Sequence, residues 1–343
     1  MKPLPVETRN ELARRFSISP DALTFLGGGR EDSDGVVYSA LRDGQRVVLK
    51  IAQAEDEAHV RSILRFSRFL SGRGIRVSSP LPCADGRLYE TTRQGDTLLI
   101  ATVSAFLEGS TPDGGALQQN TALVREWGRV TGRMHRAAQD YPVWRNACED
   151  DGRYGFEAEI DAFIKIAPDS FIREQWHAMK EKLRRLPIRR DTYGFIHNDN
   201  HQMNVIASGS DVAIIDFDCA ECQFFANDLL LPVQGLLFDE AGGMLRPLDR
   251  PELLAAFYRH FLDGYREENE LDPFWLEQLG LFLSYRRLLL YTVLQGWLTH
   301  DAQANEGFLR MIRAADEDIR SIAALLGIQG SARQVSLFTG KGA

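Results

Sequence analysis

The sequence predicts an α+β protein with a smaller β-rich N-terminal portion and a larger, mainly helical remainder. Three observations carry this. From Leu23 to Leu107 the apolar residues fall in short runs broken by glycine turns, as strands require. After a Ser/Thr/Pro/Asp/Gly cluster at Gly109 to Gly115 the spacing becomes helical, with Leu123, Trp127, Val130 and Met134 on one face. Inside the helical remainder a single stretch, Phe195 to Asp218, returns to strand character around the turn signal Gly209-Ser210-Asp211.

At 343 residues the chain can hold two domains or one bilobal unit with a sizeable core. An apolar share of 44% beside 26% charged residues suits a soluble globular protein. The net charge of −8 argues against nucleic acid as a partner, which would need a clustered basic surface. The opening MKPLPVETRNELARRF lacks the apolar core of a secretory signal. The longest apolar run, Leu281 to Leu298, is interrupted by Arg286, Arg287 and Gln295, so no membrane span is expected and a cytoplasmic location is. Cys219 and Cys222 form a CxxC without a second Cys or His pair at zinc-finger spacing, and are expected to be reduced thiols.

Taken in order, Glu7 to Phe16 reads as a short helix. Strands follow at Thr24-Phe25-Leu26, Val36-Val37-Tyr38 and Val47 to Ile51, with Asp43-Gly44 as a hairpin turn. Gly27-Gly28-Gly29 lies between the first two strands, where backbone N–H groups can approach phosphates closely. Lys50 stands mid-strand among apolar neighbours, where an ammonium needs an anionic partner, and a nucleotide phosphate supplies one. A helix is predicted from about Asp56 to Leu70, then strands near Arg87 to Thr92 and Leu98 to Leu107. Further helices fit Asn120 to Ala138, Phe156 to Ile166, Ile172 to Leu186, Pro251 to Arg266, Pro273 to Trp297 and Glu306 to Leu326. The domains are expected at 1–107 and 108–330, with a loosely held tail at 331–343.

The central stretch carries the chemistry. It sets His197, Asp199, His201 and Asn204 within eight residues, and its second strand ends at Asp216. A hairpin over Gly209 would bring Asp199, Asn204 and Asp216 near one another. One carboxylate could then face a hydroxyl proton, while an amide and a second carboxylate remain as hard oxygen ligands of the kind that suit Mg²⁺.

The spacing His197-Asn198-Asp199 … Asn204, with Asp216-Phe217-Asp218 downstream, matches a kinase catalytic loop. The chain resembles the aminoglycoside phosphotransferase and choline kinase superfamily, which has a bilobal protein-kinase-like fold. That resemblance implies an ATP- and Mg²⁺-dependent kinase acting on a hydroxyl of a small molecule. It implies Asp199 as catalytic base, Asn204 and Asp216 as metal ligands, and Lys50 on the α/β-phosphates beneath the Gly28-Gly29 loop. Adenine would pair with backbone groups of Ala105 and Leu107, in a segment like the family's inter-lobe linker. His197 would brace the loop and Asp228 would support it from behind. The family's lysine also pairs with a helix glutamate, but here that position is Ile63; Glu57, on the face of Val60 and Leu64, is the expected partner.

His135 reads as a core histidine. Tyr285, Arg286, Arg287, Tyr291 and Trp297 are read either as acceptor-pocket lining or as a core-packing helix with a buried ion pair. Few residues separate Asp216 from Asp228, which leaves no long activation segment for docking a protein substrate. The acceptor is therefore expected to be a small hydroxylated molecule, an amino alcohol, homoserine-like metabolite or aminoglycoside; Asp218 and Glu221 suit an amine, and a solvated charged surface explains them equally well. A stress-response-type protein Ser/Thr kinase and a nucleotide-binding module without catalysis are the alternative readings of the same letters.

Overall fold

The computed structural model describes residues 4–28, 35–54, 56–83, 85–141, 155–237, 251–270 and 272–313. Two compact units emerge, Met1–Ser110 with Ala213–Asp218, and Thr111–Val212 with Cys219–Ala343.

The first unit contains α1 (Val6–Arg15), β1 (Thr24–Gly28), β2 (Gly35–Arg42), β3 (Gln45–Gln53), α2 (Glu57–Gly72), β4 (Glu90–Gln94) and β5 (Thr97–Ala105). Its five strands are antiparallel in the order β1-β2-β3-β5-β4. Asp43 and Gly44 both take positive φ, 50° and 76°, which closes the β2–β3 hairpin in the twist its strands need. Alternation then sorts the faces: Val47, Leu49 and Ile51 are buried with Leu99, Ala101 and Val103 against Leu12 and Phe16 of α1. Lys50, one step out of phase, faces the other side of the sheet. Gly28 has φ +79°, and a Cβ there would lie 2.2 Å from the Gly35 carbonyl oxygen, so only glycine fits. Gly29 lies outside the described residues. The strand expected from Arg87 starts at Glu90 instead, because the Arg87 N–H bonds the Asp85 carboxylate (3.0 Å) in a side-chain turn.

α2 begins where the Asp56 carboxylate accepts from Ala58 N–H (2.8 Å) and buries Ile63, Phe66 and Leu70. Ile63 thus belongs to the helix's core face.

The second unit contains α3 (Gly114–Gln119), α4 (Thr121–Gln139), α5 (Phe156–Ile166), α6 (Ser170–Arg184), β6 (Tyr193–Ile196), β7 (Val205–Ser208), the start of β8 (Asp211–Ile214), β9 (Glu221–Phe224) and α7 (Phe225–Leu237). It continues with α8 (Pro251–Glu268), α9 (Pro273–Glu277), α10 (Leu279–Val293), α11 (Gln295–Leu298) and α12 (Ala302–Arg313). Asp113, Asn120 and Asp169 cap α3, α4 and α6 through side-chain oxygens. The single helix expected over Pro273 to Trp297 is three pieces. At Gln278 and Leu294 the backbone turns to ψ −9° and 11°, and tighter bonds such as Gln278 N–H to the Trp275 carbonyl replace the α-helical ladder. β6 pairs with β9, and β7 with β8 around Gly209, φ 64°. Residues 314–326 of the last expected helix and the tail lie outside the described residues.

Cys222 is disulfide-bonded, which corrects the expectation of a reduced CxxC. Its bond is not to Cys219, which keeps an exposed thiol in a 3₁₀ turn, whereas Cys222 is fully buried on β9. No helix among the described residues is long and apolar enough to cross a membrane.

α4 and α8 pack backbone against backbone. A Cβ on Gly128 would sit 1.9 Å from the Phe261 carbonyl oxygen, one on Gly132 2.7 Å from that of Tyr265, and one on Gly264 1.8 Å from that of Arg125. The obstacles are backbone atoms, so a methyl group must push the helices apart. Gly128→Ala should destabilise the protein by about 2 kcal/mol in urea denaturation. Gly296→Ala on α11, where nothing lies within 4 Å, should leave stability equal or higher by a few tenths.

Candidate active site

In the first unit the site is built around Lys50. Its ammonium sits 2.7 Å from Asp216 Oδ1 and 2.7 Å from Asp218 Oδ2. Both aspartates reach it because the residue between them is an apolar plug. Phe217 is 4% exposed and meets Phe66 of α2 edge-on, ring centroids 6.4 Å apart. Upstream, Ile214 is tied in by its N–H to the Arg76 carbonyl (3.0 Å) and its carbonyl to Ser78 N–H (2.9 Å). Asp216 itself takes φ 64°, a left-handed conformation that aspartate tolerates better than most residues. Burial alone would lower the Lys50 pKa, but the Asp218 and Asp216 charges outweigh it and hold the ammonium above the ordinary lysine range.

Glu57 is not the partner of Lys50. It starts α2, and its carboxylate accepts from Tyr89 OH (2.5 Å) and from Arg61 one turn on (3.2 Å). The lysine's counter-charges come from the Asp-Phe-Asp turn. In β5, Ala105 stands opposite Val47, and the next bond runs from Phe106 N–H to the Arg46 carbonyl (3.1 Å). Ala105 is therefore in a non-hydrogen-bonded pair, with its N–H and C=O turned away from β3. Leu107 lies two residues beyond, past the end of β5.

In the second unit β6 delivers the loop His197 to Asn204. Its shape is set by Asp228 on α7, which is 0% exposed. Oδ2 accepts from His197 N–H (2.9 Å) and Oδ1 from Asn198 N–H (2.8 Å). His135 is wholly buried, stacked on Phe225 and bonded to Tyr265 OH (2.9 Å) and Asp228 (3.3 Å), so it serves the core as expected. Asn198 takes φ 62° and commits every polar group: N–H to Asp228, Oδ1 to Asn227 (2.7 Å), Nδ2 to Glu159 (3.3 Å), and C=O to Arg286 (3.3 Å). Asn200 accepts from Trp127 Nε1 and donates to Thr131 Oγ1, both at 2.9 Å, fixing the loop to α4.

Asp199 is met by donors on both oxygens. Arg286 Nη2 lies 3.2 Å from Oδ1; His201 Nε2 and Asn204 Nδ2 each lie 3.2 Å from Oδ2. His201 Nδ1 accepts from Met203 N–H (3.1 Å), which leaves its proton on Nε2, facing Asp199. Burial would raise the Asp199 pKa, but the His201 hydrogen bond and the Arg286 charge outweigh it and hold the carboxyl well below the usual carboxylate range. The carboxylate stays ionised and is oriented to accept. Asn204 spends its amide nitrogen on Asp199 (3.2 Å to Oδ2, 2.9 Å to the carbonyl), so its amide oxygen is the atom that could hold a hard cation. The carboxylate of Asp216 is a donor of the same kind.

Beside the loop, Glu159 accepts from Tyr285 OH, Asn198 and Gln223. Glu221 accepts from Gly155 N–H. Burial, then the nearby Glu159 charge, push Glu221 up to about 8. Of the two acids expected to suit an amine, Glu221 thus joins Glu159, while Asp218 is engaged by Lys50. Along the C-terminal helices Arg286 forms the buried ion pair, Tyr291 packs on Phe308, and Trp297 is 41% exposed. The roles of Arg286, Glu159 and the side chain of Asn198 were not readable in the sequence. The pairing partners of the first two lie dozens of residues away, and only the αL tolerance of asparagine hints at the third.

The phosphotransferase enzyme family model matches residues 23–274. Amicoumacin kinase of Bacillus subtilis (strain 168) is 30% identical over 291 residues, 83% of each chain. A homoserine kinase of Sinorhizobium medicae (strain WSM419) is 30% identical over 248 residues, 67% of this chain and 66% of its own. Among solved structures, the amicoumacin kinase hAmiN in complex with AMP-PNP, Ca²⁺ and Ami is similar with a TM-score of 0.73 and 25% identity, over 91% of this chain and 92% of that one. With an Asp-centred loop and a paired strand lysine of this geometry, the chain belongs to the phosphotransferase enzyme family, as a phosphotransferase of kinase-like α+β fold with an alcohol group as acceptor.

Proposed function

We propose that the enzyme transfers the γ-phosphoryl group of ATP, with Mg²⁺, to a hydroxyl of a small amine-bearing molecule: an amino alcohol, a homoserine-like metabolite or an aminoglycoside-type antibiotic. The observation that carries this reading is Asp199, ionised and oriented by three donors at the end of a buried loop. Phosphoryl transfer needs positioning and charge stabilisation more than covalent work. Asp199 receives the hydrogen bond of the acceptor hydroxyl and aims its oxygen for in-line attack. Lys50 exchanges its two carboxylates for the α/β-phosphates, and the glycine-rich segment that begins at Gly28 lets main-chain N–H groups approach them. The backbone of Ala105 and Leu107 receives the adenine edge. Asn204 and Asp216 each offer an oxygen that would hold Mg²⁺, which would supply charge neutralisation for the phosphate oxygens. Glu159 and Glu221 meet an ammonium group of the acceptor. The substrates of the named relatives, amicoumacin and homoserine, support a hydroxylated, amine-bearing acceptor.

ATP turnover against a panel of amino alcohols, L-homoserine, aminoglycosides and amicoumacin tests the reading directly. Phosphate incorporation into casein with none into any alcohol would replace it with a protein kinase; tight ATP binding without turnover would make it a nucleotide-binding module. Asp199→Asn should cost at least about 10²-fold in kcat while the melting temperature holds. Lys50→Met should raise KM for ATP roughly tenfold or more through the lost charge-assisted bonds, and leave acceptor KM unchanged. Glu221 gives a pH test. Its folded pKa lies above its unfolded value, so the folded state holds the extra proton between about 4.5 and 8, and stability falls as pH rises through that window. Glu221→Gln should therefore melt higher than wild type at pH 9, the two curves converging as pH drops towards 4.5, while acceptor KM rises.

A further inference from the structure

Arg286 lies on α10, 87 residues from Asp199, yet its side chain is 6% exposed and aimed at the loop. Its two terminal nitrogens divide their bonds. One donates to Asp199 Oδ1 (3.2 Å), and the other to the carbonyl of Asn198 (3.3 Å), the residue just before it. A planar fork that holds both a side chain and the adjacent main chain fixes one torsional state of the carboxylate, which a point charge could not do.

The remaining valences identify the oxygen that can react. A carboxylate oxygen accepts about two hydrogen bonds. Oδ2 already has two donors, His201 Nε2 and Asn204 Nδ2, whereas Oδ1 has one, Arg286 Nη2. The open acceptor position on Asp199 is thus on Oδ1, the oxygen held by the arginine.

We propose that Arg286 is a positioning residue for phosphoryl transfer, presenting Oδ1 of Asp199 to the acceptor hydroxyl while Asn204 keeps Oδ2. The proposal rests on Asp199 as the group that receives the hydroxyl's hydrogen bond. It also gives α10 a role in the chemistry distinct from acceptor choice. The neighbouring Tyr285 holds Glu159, which itself takes the Asn198 side chain, so consecutive residues of one helix brace the loop at two points.

The test compares Arg286→Met and Arg286→Lys with wild type. The readouts are AMP-PNP binding with Mg²⁺ by calorimetry, kcat and KM with the best acceptor of the panel above, and crystal structures of wild type and R286M. Expected are unchanged AMP-PNP affinity, a kcat loss on the order of 10²-fold in R286M, as a displaced catalytic group costs, and partial recovery in R286K. The R286M crystal structure should show Asp199 turned from its wild-type rotamer. An unchanged kcat, or an Asp199 rotamer identical to wild type, overturns the proposal. So does a parallel fall in kcat, AMP-PNP affinity and melting temperature in both variants, which marks a merely structural arginine. If wild type phosphorylates nothing in the panel, the functional reading fails, and the paired crystal structures still decide whether Arg286 sets the Asp199 rotamer.

Discussion

A carboxylate removed from water has to be compensated in place, and Asp228 is compensated by the backbone of the loop it supports. Its two oxygens take the N–H groups of His197 and Asn198, with His135 adding a third donor. Asn269 donates to Tyr265, Tyr265 to His135 Nδ1, and the remaining Nε2–H therefore points at the carboxylate. Since an unpaired buried charge costs several kcal/mol, the loop cannot relax without exposing that cost. The left-handed turn at Asn198 follows from this constraint, and with it the direction in which Asp199 emerges.

From there the order of the site is one of successive commitments. Asn198 spends all its polar groups on the interior, so it positions and does not react. Asn204 spends its amide nitrogen and retains its oxygen. Asp199 spends three of its acceptor positions and retains one. The functional groups are those left over when the buried hydrogen bonds have been satisfied, a sharper criterion than residue type alone.

Much of the fold was legible because its signals are local. Strand alternation, the Asp43-Gly44 turn and the helical stripe of α4 each act within a few residues. The loop from His197 to Asn204 was legible for the same reason. What failed was tertiary. Glu57 had the right helical phase, yet nothing in its neighbourhood reveals that Tyr89 competes for it. Asp218, read as suited to an amine or as a solvated acid, instead joins Asp216 at Lys50, because Phe217 buries itself and turns both flanking carboxylates to the lysine. Nor does the CxxC spacing reveal that Cys222 is disulfide-bonded while Cys219 keeps its thiol.

The double pairing of Lys50 bears on how a nucleotide arrives. One ammonium shared by two carboxylates leaves that corner without uncompensated positive charge. A bare polyphosphate would have to evict an acidic neighbour to gain the lysine. A nucleotide accompanied by a divalent cation meets the opposite situation, since the displaced carboxylate finds a new counter-ion as it lets go. On the role proposed for Lys50, capture at this corner would be an exchange of ion partners, and would favour the metal-complexed nucleotide over the free one before any chemistry begins.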